Sequence, residues 1–178
     1  MWGYIGKGDT FAQLSLDLFC DADFAGERPT FRSTSGNYMT LLGPNSDFPI
    51  AAKSKTEKTI SHSSAESETM SMSRGLRAMA LPGLDLMEAI NTKDITELNC
   101  HEDNEATIAI IKSGKNPTMK HMNRTHGAQV RSLYDEFNKP RRHIKYIESA
   151  AQRADILTKC FRDVPTWKHA CRLSGLID

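Results

Sequence analysis

Residues 14–23 constrain the fold more than any other stretch of the chain. Leu14, Leu16, Leu18 and Cys20 point one way and Phe19 points the other. A strand that is apolar on both faces needs cover on both faces, so this one is expected in the middle of a sheet. It closes on Asp21 and Asp23, two acids delivered at the rim of a buried strand.

The rest of the chain supplies the sheet and its cover. Residues 26–36 form a polar turn region, 37–42 a second strand, and Gly43-Pro44-Asn45-Ser46 a turn before a third strand over 48–54. Short loops join these strands, which predicts an antiparallel meander. Pro49 cannot donate to a ladder and puts the start of the third strand at an edge. Ser63 with Glu66 reads as a capping box, opening a helix through Met70, Met72 and Leu76. Pro82-Gly83 is expected to break or kink it, and a short helix follows to Ile90. A strand over 98–103 leads into a helix over 105–112 that Gly114 and Pro117 stop. Val130, Leu133, Tyr134 and Phe137 mark one face of a helix over 123–138. Residues 143–148 alternate as a fifth strand. Ser149 to Gln152 reads as a second capping box, opening a helix that holds Asp155, and 165–173 is a terminal helix. A meander followed by strand–helix alternation predicts an α/β fold: a mixed five-stranded sheet flanked by helices.

The 178 residues suffice for one domain with a sizeable core. Residues 14–178 are expected to form it, with 1–13 as an N-terminal tether cut from something longer. Net charge is only +1, which excludes a histone-like basic coat and leaves nucleic-acid binding to local patches. Cys20 and Cys100 fall in predicted buried strands, and the four cysteines lack metal-site spacing. They read as reduced thiols of an intracellular protein. No stretch approaches the ~20 apolar residues of a membrane span.

Four acids recur at strand ends and helix starts: Asp21 with Asp23, Glu66 with Glu68, Asp103, and Asp155. Singly, each is an ordinary turn former, first-turn acid or helix cap. Together they can converge, and converging carboxylates repel unless a cation lies among them. Oxygen donors without sulfur favour Mg²⁺ or Mn²⁺, and two such ions roughly 4 Å apart cut phosphodiesters.

Several blocks then carry a resemblance: Cys20-Asp21-Ala22-Asp23-Phe24-Ala25-Gly26, Arg32-Ser33-Thr34-Ser35-Gly36, Lys53-Ser54-Lys55-Thr56-Glu57-Lys58-Thr59, Ser63-Ser64-Ala65-Glu66-Ser67-Glu68, Asp103-Asn104-Glu105-Ala106, Lys115-Asn116-Pro117, Lys120-His121 and Ala154-Asp155-Ile156-Leu157-Thr158-Lys159. In order and spacing they resemble the ribonuclease H domain of Ty1/copia-type retrotransposon polyproteins, over about residues 14–175. The resemblance implies a ribonuclease H-like fold, with antiparallel β1–β3 and parallel β4 and β5. It implies hydrolysis of the RNA strand of an RNA–DNA hybrid with two Mg²⁺ (or Mn²⁺) ions, and a reverse transcriptase domain as partner in the parent polyprotein. Asp21, Glu68, Asp103 and Asp155 take the catalytic, metal-holding roles, with Asp21 bridging; Asp23 and Glu66 are the alternates. Arg28, Arg32, Lys53, Lys55, Lys58, Lys115, Lys120 and His121 are candidate substrate contacts. His121 also fits the mobile histidine that helps product leave in some such enzymes; His121 with His126 lacks partner cysteines, so no zinc is expected. The place of action implied is the cytoplasm, retroelement particles or the nucleus. The rival class is a silent or domesticated copy serving as a structural or interaction subunit; an integrase-like DNA enzyme is a third.

Overall fold

The computed structural model describes residues 1–91, 96–115 and 124–176. Five strands form one sheet: β1 (Ser15–Glu27), β2 (Arg32–Leu42), β3 (Asp47–Thr56), β4 (Glu97–Glu102) and β5 (Arg142–Tyr146). Their order is β3-β2-β1-β4-β5, with β1 to β3 antiparallel and β4 and β5 parallel to β1. The central place of the opening strand, expected from its two apolar faces, is thus observed. Leu16, Leu18 and Cys20 are fully buried on one face, against Met72, Leu76, Leu98, Ile111 and Leu133. Each such large side chain contributes about 1.5–3 kcal/mol of burial. The other face is smaller, built from Phe19, Tyr38 and Ala154.

The helices are α1 (Ser64–Gly75), α2 (Leu81–Ile90), α3 (Glu105–Ser113), α4 (Arg124–Phe137) and α5 (Val164–Leu173). Ser63 caps α1, its Oγ accepting the Glu66 N–H at 3.2 Å, and Asn104 caps α3 through the Ala106 and Thr107 N–H groups. Gly114 ends α3 at φ 65°, the left-handed backbone that glycine takes without strain.

Pro82 does not break the helical run. A wide π-helical turn, Leu76–Ala80, joins α1 to α2, and the Leu81 N–H reaches back to the Leu76 carbonyl. Pro82 then falls in the first turn of α2, where its missing N–H costs nothing.

A second expectation also fails. The Ser149 capping box opens no α-helix: the segment forms two short 3₁₀ turns, Ser149–Ala151 and Arg153–Leu157, and Asp155 sits in the second. The Gln152 side chain caps that turn by accepting the Ala154 N–H, and its amide donates to the Cys20 carbonyl at 2.9 Å. A buried glutamine thereby fastens the segment to the backbone beside Asp21.

Ahead of β1, Tyr4 bridges Asp47, and the Trp2 N–H donates to the Gly175 carbonyl. All four cysteines are free; Cys20, Cys100 and Cys171 are buried and Cys160 is exposed. No helix among the described residues is long and apolar enough to cross a membrane.

Candidate metal centre

Parallel pairing of β1 with β4 brings Asp21 level with Asp103. Phe19 lies opposite His101, and Asp103 follows the end of β4. Glu68 projects from the second turn of α1, which packs over β1 and β2. One carboxylate oxygen from each of Asp21, Glu68 and Asp103 lies within 4.8 Å of the others. Asp21 and Glu68 are 2% and 6% exposed. They stand in a cleft of about 570 Å³ with Asp103, Asn104, Tyr146 and Lys159 on its walls.

Asp155 joins this group through a cation. Lys159 Nζ donates to Asp155 Oδ1 at 2.7 Å and lies 3.8 Å from Asp21 Oδ1. The Thr158 hydroxyl donates to Asp21 Oδ2, and the Ser149 hydroxyl donates to Asp103 Oδ2 at 2.6 Å. The close seat of the 3₁₀ turn depends on Gly36, which pairs with Asp21 across β2. A Cβ at position 36 would stand 2.6 Å from Thr158 Cγ2.

The electrostatics are those of crowded, dehydrated acids. Burial raises the Asp21 carboxyl above its usual range, against the Thr158 hydrogen bond and the Lys159 charge. Glu68 is pushed far higher, by burial first and then by Glu102, Asp21 and Asp103. Asp155 rises to about 6, mainly through burial. Lys159 loses hydration too, yet its hydrogen bond to Asp155 and the nearby acids hold its ammonium above the ordinary lysine value.

The alternates have other partners. Glu66 is buried, but its carboxylate accepts the His62 N–H at 2.6 Å and pairs with His126 Nδ1. Asp23 folds its carboxylate onto the backbone at Gly26, where a Cβ would meet Asp23 Oδ2 at 1.8 Å. Arg28, Arg32, Lys53, Lys55 and Lys58 are exposed and make no ion pair among the described residues. Lys115 is likewise exposed. Lys120 and His121 lie outside the described residues.

Four residues of the site were given no role from the sequence: Glu102, Tyr146, Thr158 and Lys159. Glu102 is fully buried beside Glu68 with Oε2 unpartnered, and burial together with Asp103 pushes its carboxyl well up. Its signal was available, because alternation along Leu98, Cys100 and Glu102 puts an acid on the buried face.

A divalent cation fits this arrangement. Glu68 Oε2 is buried without a hydrogen-bond partner among the described residues, an expense that coordination removes. The converging donors are carboxylate oxygens alone, which suits hard ions such as Mg²⁺ or Mn²⁺.

No family model matches the chain. The Ty1-ER2 and Ty1-MR2 Gag-Pol polyproteins of Saccharomyces cerevisiae are each 32% identical to it over 145 residues, covering 81% of the chain and 8% of the polyprotein. The chain therefore spans only a small part of the relatives it matches. Among solved structures, LC11-RNase H1, isolated from compost, superposes with a TM-score of 0.50 and 17% identity over 81% of this chain and 92% of that one. The same enzyme in complex with an RNA/DNA hybrid gives a TM-score of 0.50 and 16% identity, over 81% and 94% of the two chains. With its sheet order, its converging acids and this kinship, the chain is a ribonuclease H-fold relative of the Ty1 Gag-Pol polyproteins.

Proposed function

We propose that the chain hydrolyses the RNA strand of RNA–DNA hybrids, using two Mg²⁺ or Mn²⁺ ions held by Asp21, Glu68, Asp103 and Asp155. The observation that carries the reading is the convergence of Asp21, Glu68 and Asp103 within 4.8 Å in an open cleft. Support for the substrate comes from the structural neighbour that binds an RNA/DNA hybrid. A reverse transcriptase domain in the parent polyprotein is the proposed partner, and the cytoplasm, retroelement particles or the nucleus the place of action.

Ions held by these carboxylates would supply an activated water and positive charge at the leaving oxygen. The chain's own side chains set the geometry. Thr158 and Lys159 hold the Asp21 carboxylate from one side, and Ser149 orients Asp103. Lys53, Lys55, Lys58, Arg28 and Arg32 neutralise backbone phosphates, which positions the duplex without reading its sequence.

The test is cleavage of an end-labelled hybrid by the purified chain in Mg²⁺, with Asp103→Asn abolishing it. A DNA duplex of the same sequence is expected to stay intact. No cleavage by the unmodified chain in either Mg²⁺ or Mn²⁺ would overturn the proposal.

A further inference from the structure

A second cavity opens at the end of the sheet away from the carboxylates. Asp47, the first residue of β3, pairs with Leu42, and Leu42 pairs with Ser15 at the start of β1. Asp21 lies six residues further along β1, roughly 20 Å away at strand spacing. The cavity holds about 490 Å³ and is lined by Trp2, Tyr4, Tyr38, Pro49, Arg153 and Arg172. That volume falls in the range of small-ligand sites. None of these residues borders the carboxylate cleft.

The aromatic wall is pinned by its backbone yet left in water. The Trp2 N–H donates to the Gly175 carbonyl at 2.6 Å, and Tyr4 and Asp47 exchange both backbone hydrogen bonds, at 2.9 and 3.0 Å. Between them Gly3 presses on β3, where a Cβ would stand 2.5 Å from Pro49 Cδ. A Cβ on Gly175 would stand 2.5 Å from the Trp2 carbonyl oxygen. The segment is thus closely seated, but its rings gain little burial by it: Trp2 is 71% exposed and Tyr4 64%. Large apolar rings held in solvent at one cavity mark a binding surface.

Charge narrows the ligand. The Arg153 guanidinium is taken up by Asp47, donating to Oδ1 at 2.9 Å and Oδ2 at 2.7 Å while it lies over the Tyr38 ring. Asp47 is the one carboxylate on the lining among the described residues, so this pair is neutral. Arg172 is exposed and makes no ion pair among the described residues, which leaves the cavity net positive. Aromatic faces beside a free guanidinium suit a nucleotide: rings stack on any base, and the guanidinium pairs with phosphate. A proline-rich peptide would use the rings and leave Arg172 unpaired.

We propose that this cavity is a second nucleic-acid site, which takes an unpaired nucleotide from a single-stranded tail on the hybrid; the inference rests on the substrate reading given above. Trp2 and Tyr4 stack on the base, and Arg172 neutralises its phosphate. A tailed hybrid is then held at two points, and the second contact forms within one complex at an effective concentration set by the tail. A blunt hybrid engages the cleft alone.

The experiment uses the Asp103→Asn chain, so that hybrid is not consumed, and reads anisotropy in Mg²⁺ at one ionic strength. The fluorescein-labelled probes are a blunt hybrid, the same hybrid with an unpaired tail, the tail strand alone and a proline-rich peptide. A tail of about ten nucleotides spans more than 20 Å at roughly 3.4 Å per step. The tail strand is expected to bind, and the tailed hybrid to bind about tenfold more tightly than the blunt one. Trp2→Ala should weaken tail binding about tenfold, within the range for losing one stacked base. It should also erase the advantage of the tailed hybrid, with Trp2→Phe keeping most of it. Arg172→Ala should lower the salt slope of tail binding by about 0.7. Both positions are exposed, and an unchanged Tm in each variant separates lost binding from misfolding. No binding of the tail strand, equal affinity for blunt and tailed hybrid, tail binding indifferent to both variants, or capture of the peptide in place of the tail would each overturn the proposal. Cleavage of blunt hybrid by the unmodified chain without any tail binding sinks the second site alone. Trp2-dependent tail binding without any cleavage sinks the nuclease alone.

Discussion

A single methyl group at position 36 tests how the site is put together. Gly36 lies opposite Asp21 in β2, beneath the 3₁₀ turn that carries Asp155. Its Cβ would stand 2.6 Å from Thr158 Cγ2 and 3.0 Å from both the Ala154 carbonyl oxygen and Leu157 Cβ. Carbon atoms in good contact are about 3.5–4.0 Å apart. The Ala154 oxygen is backbone and cannot swing aside, so the turn must lift by roughly 1 Å. Overpacking of this kind costs about 1–3 kcal/mol, which lowers Tm by roughly 2–12 °C in a domain of this size. The same lift draws Thr158, Lys159 and Asp155 away from Asp21, and a 1 Å misplacement costs roughly 100-fold in rate. Gly36→Ala should therefore remain folded at 25 °C and lose about two orders of magnitude in single-turnover hybrid cleavage. Gly127→Ala is the control: a Cβ there meets nothing within 4 Å. In the α4 interior it should add about 0.5–1 kcal/mol and leave the rate alone. Differential scanning fluorimetry and quench-flow cleavage read both quantities. A Gly36→Ala chain with unmodified Tm and rate would refute the idea that the turn seats Asp155 by resting on bare backbone.

Two further outcomes follow from the charges. Asp155 titrates near 6 in the folded chain, above its unfolded value of about 3.9, so the folded state keeps a proton the unfolded state has released. Its destabilisation is absent below about pH 4, grows as pH rises to about 6, and is constant above. Allowing for partial solvent screening, Asp155→Asn should raise metal-free stability by about 1 kcal/mol at pH 7 and by almost nothing at pH 4; a benefit equal at both pH values would contradict this. Glu57, 4% exposed, accepts Arg74 Nε at 2.8 Å and the Ser35 hydroxyl at 2.5 Å, tying the end of β3 to α1. Glu57→Gln strands Arg74 and should cost about 3 kcal/mol in urea unfolding, with the m-value unchanged.

Much of this architecture was legible because it is written in local periodicity. Apolar side chains on both faces of residues 14–20 put β1 at the centre, and Pro49 marked an edge strand. Two failures came where non-local packing overrode local preference. Pro82 would stop an isolated helix, but a wide turn absorbed it while Leu76, Leu84 and Met87 stayed on the core. Ser149 looked like a helix cap, yet its hydroxyl is spent on Asp103. Spacing brought Asp21, Glu68 and Asp103 to notice, and the structure brings those three together; Glu66 turns to His62 and His126 instead. Thr158 and Lys159 stood in the last block of the resemblance, yet nothing near them in sequence states which carboxylate they will meet.

That last separation sets a clock. The Thr158 hydroxyl finds Asp21 across 137 positions of chain, and the Gln152 amide finds Cys20 across 132. At 5–20 residues per second, a ribosome needs roughly 7–27 s to pass from one partner to the other. Throughout that interval the nascent chain carries Asp21, and then Glu68 and Asp103, without the segment that closes over them. Contacts this distant also form late in folding, after loop closure has been met. The segment that closes over the acidic cluster is thus the last of the site to be made, and a product truncated ahead of Gln152 holds three of the carboxylates but neither the fourth nor the lysine that balances them.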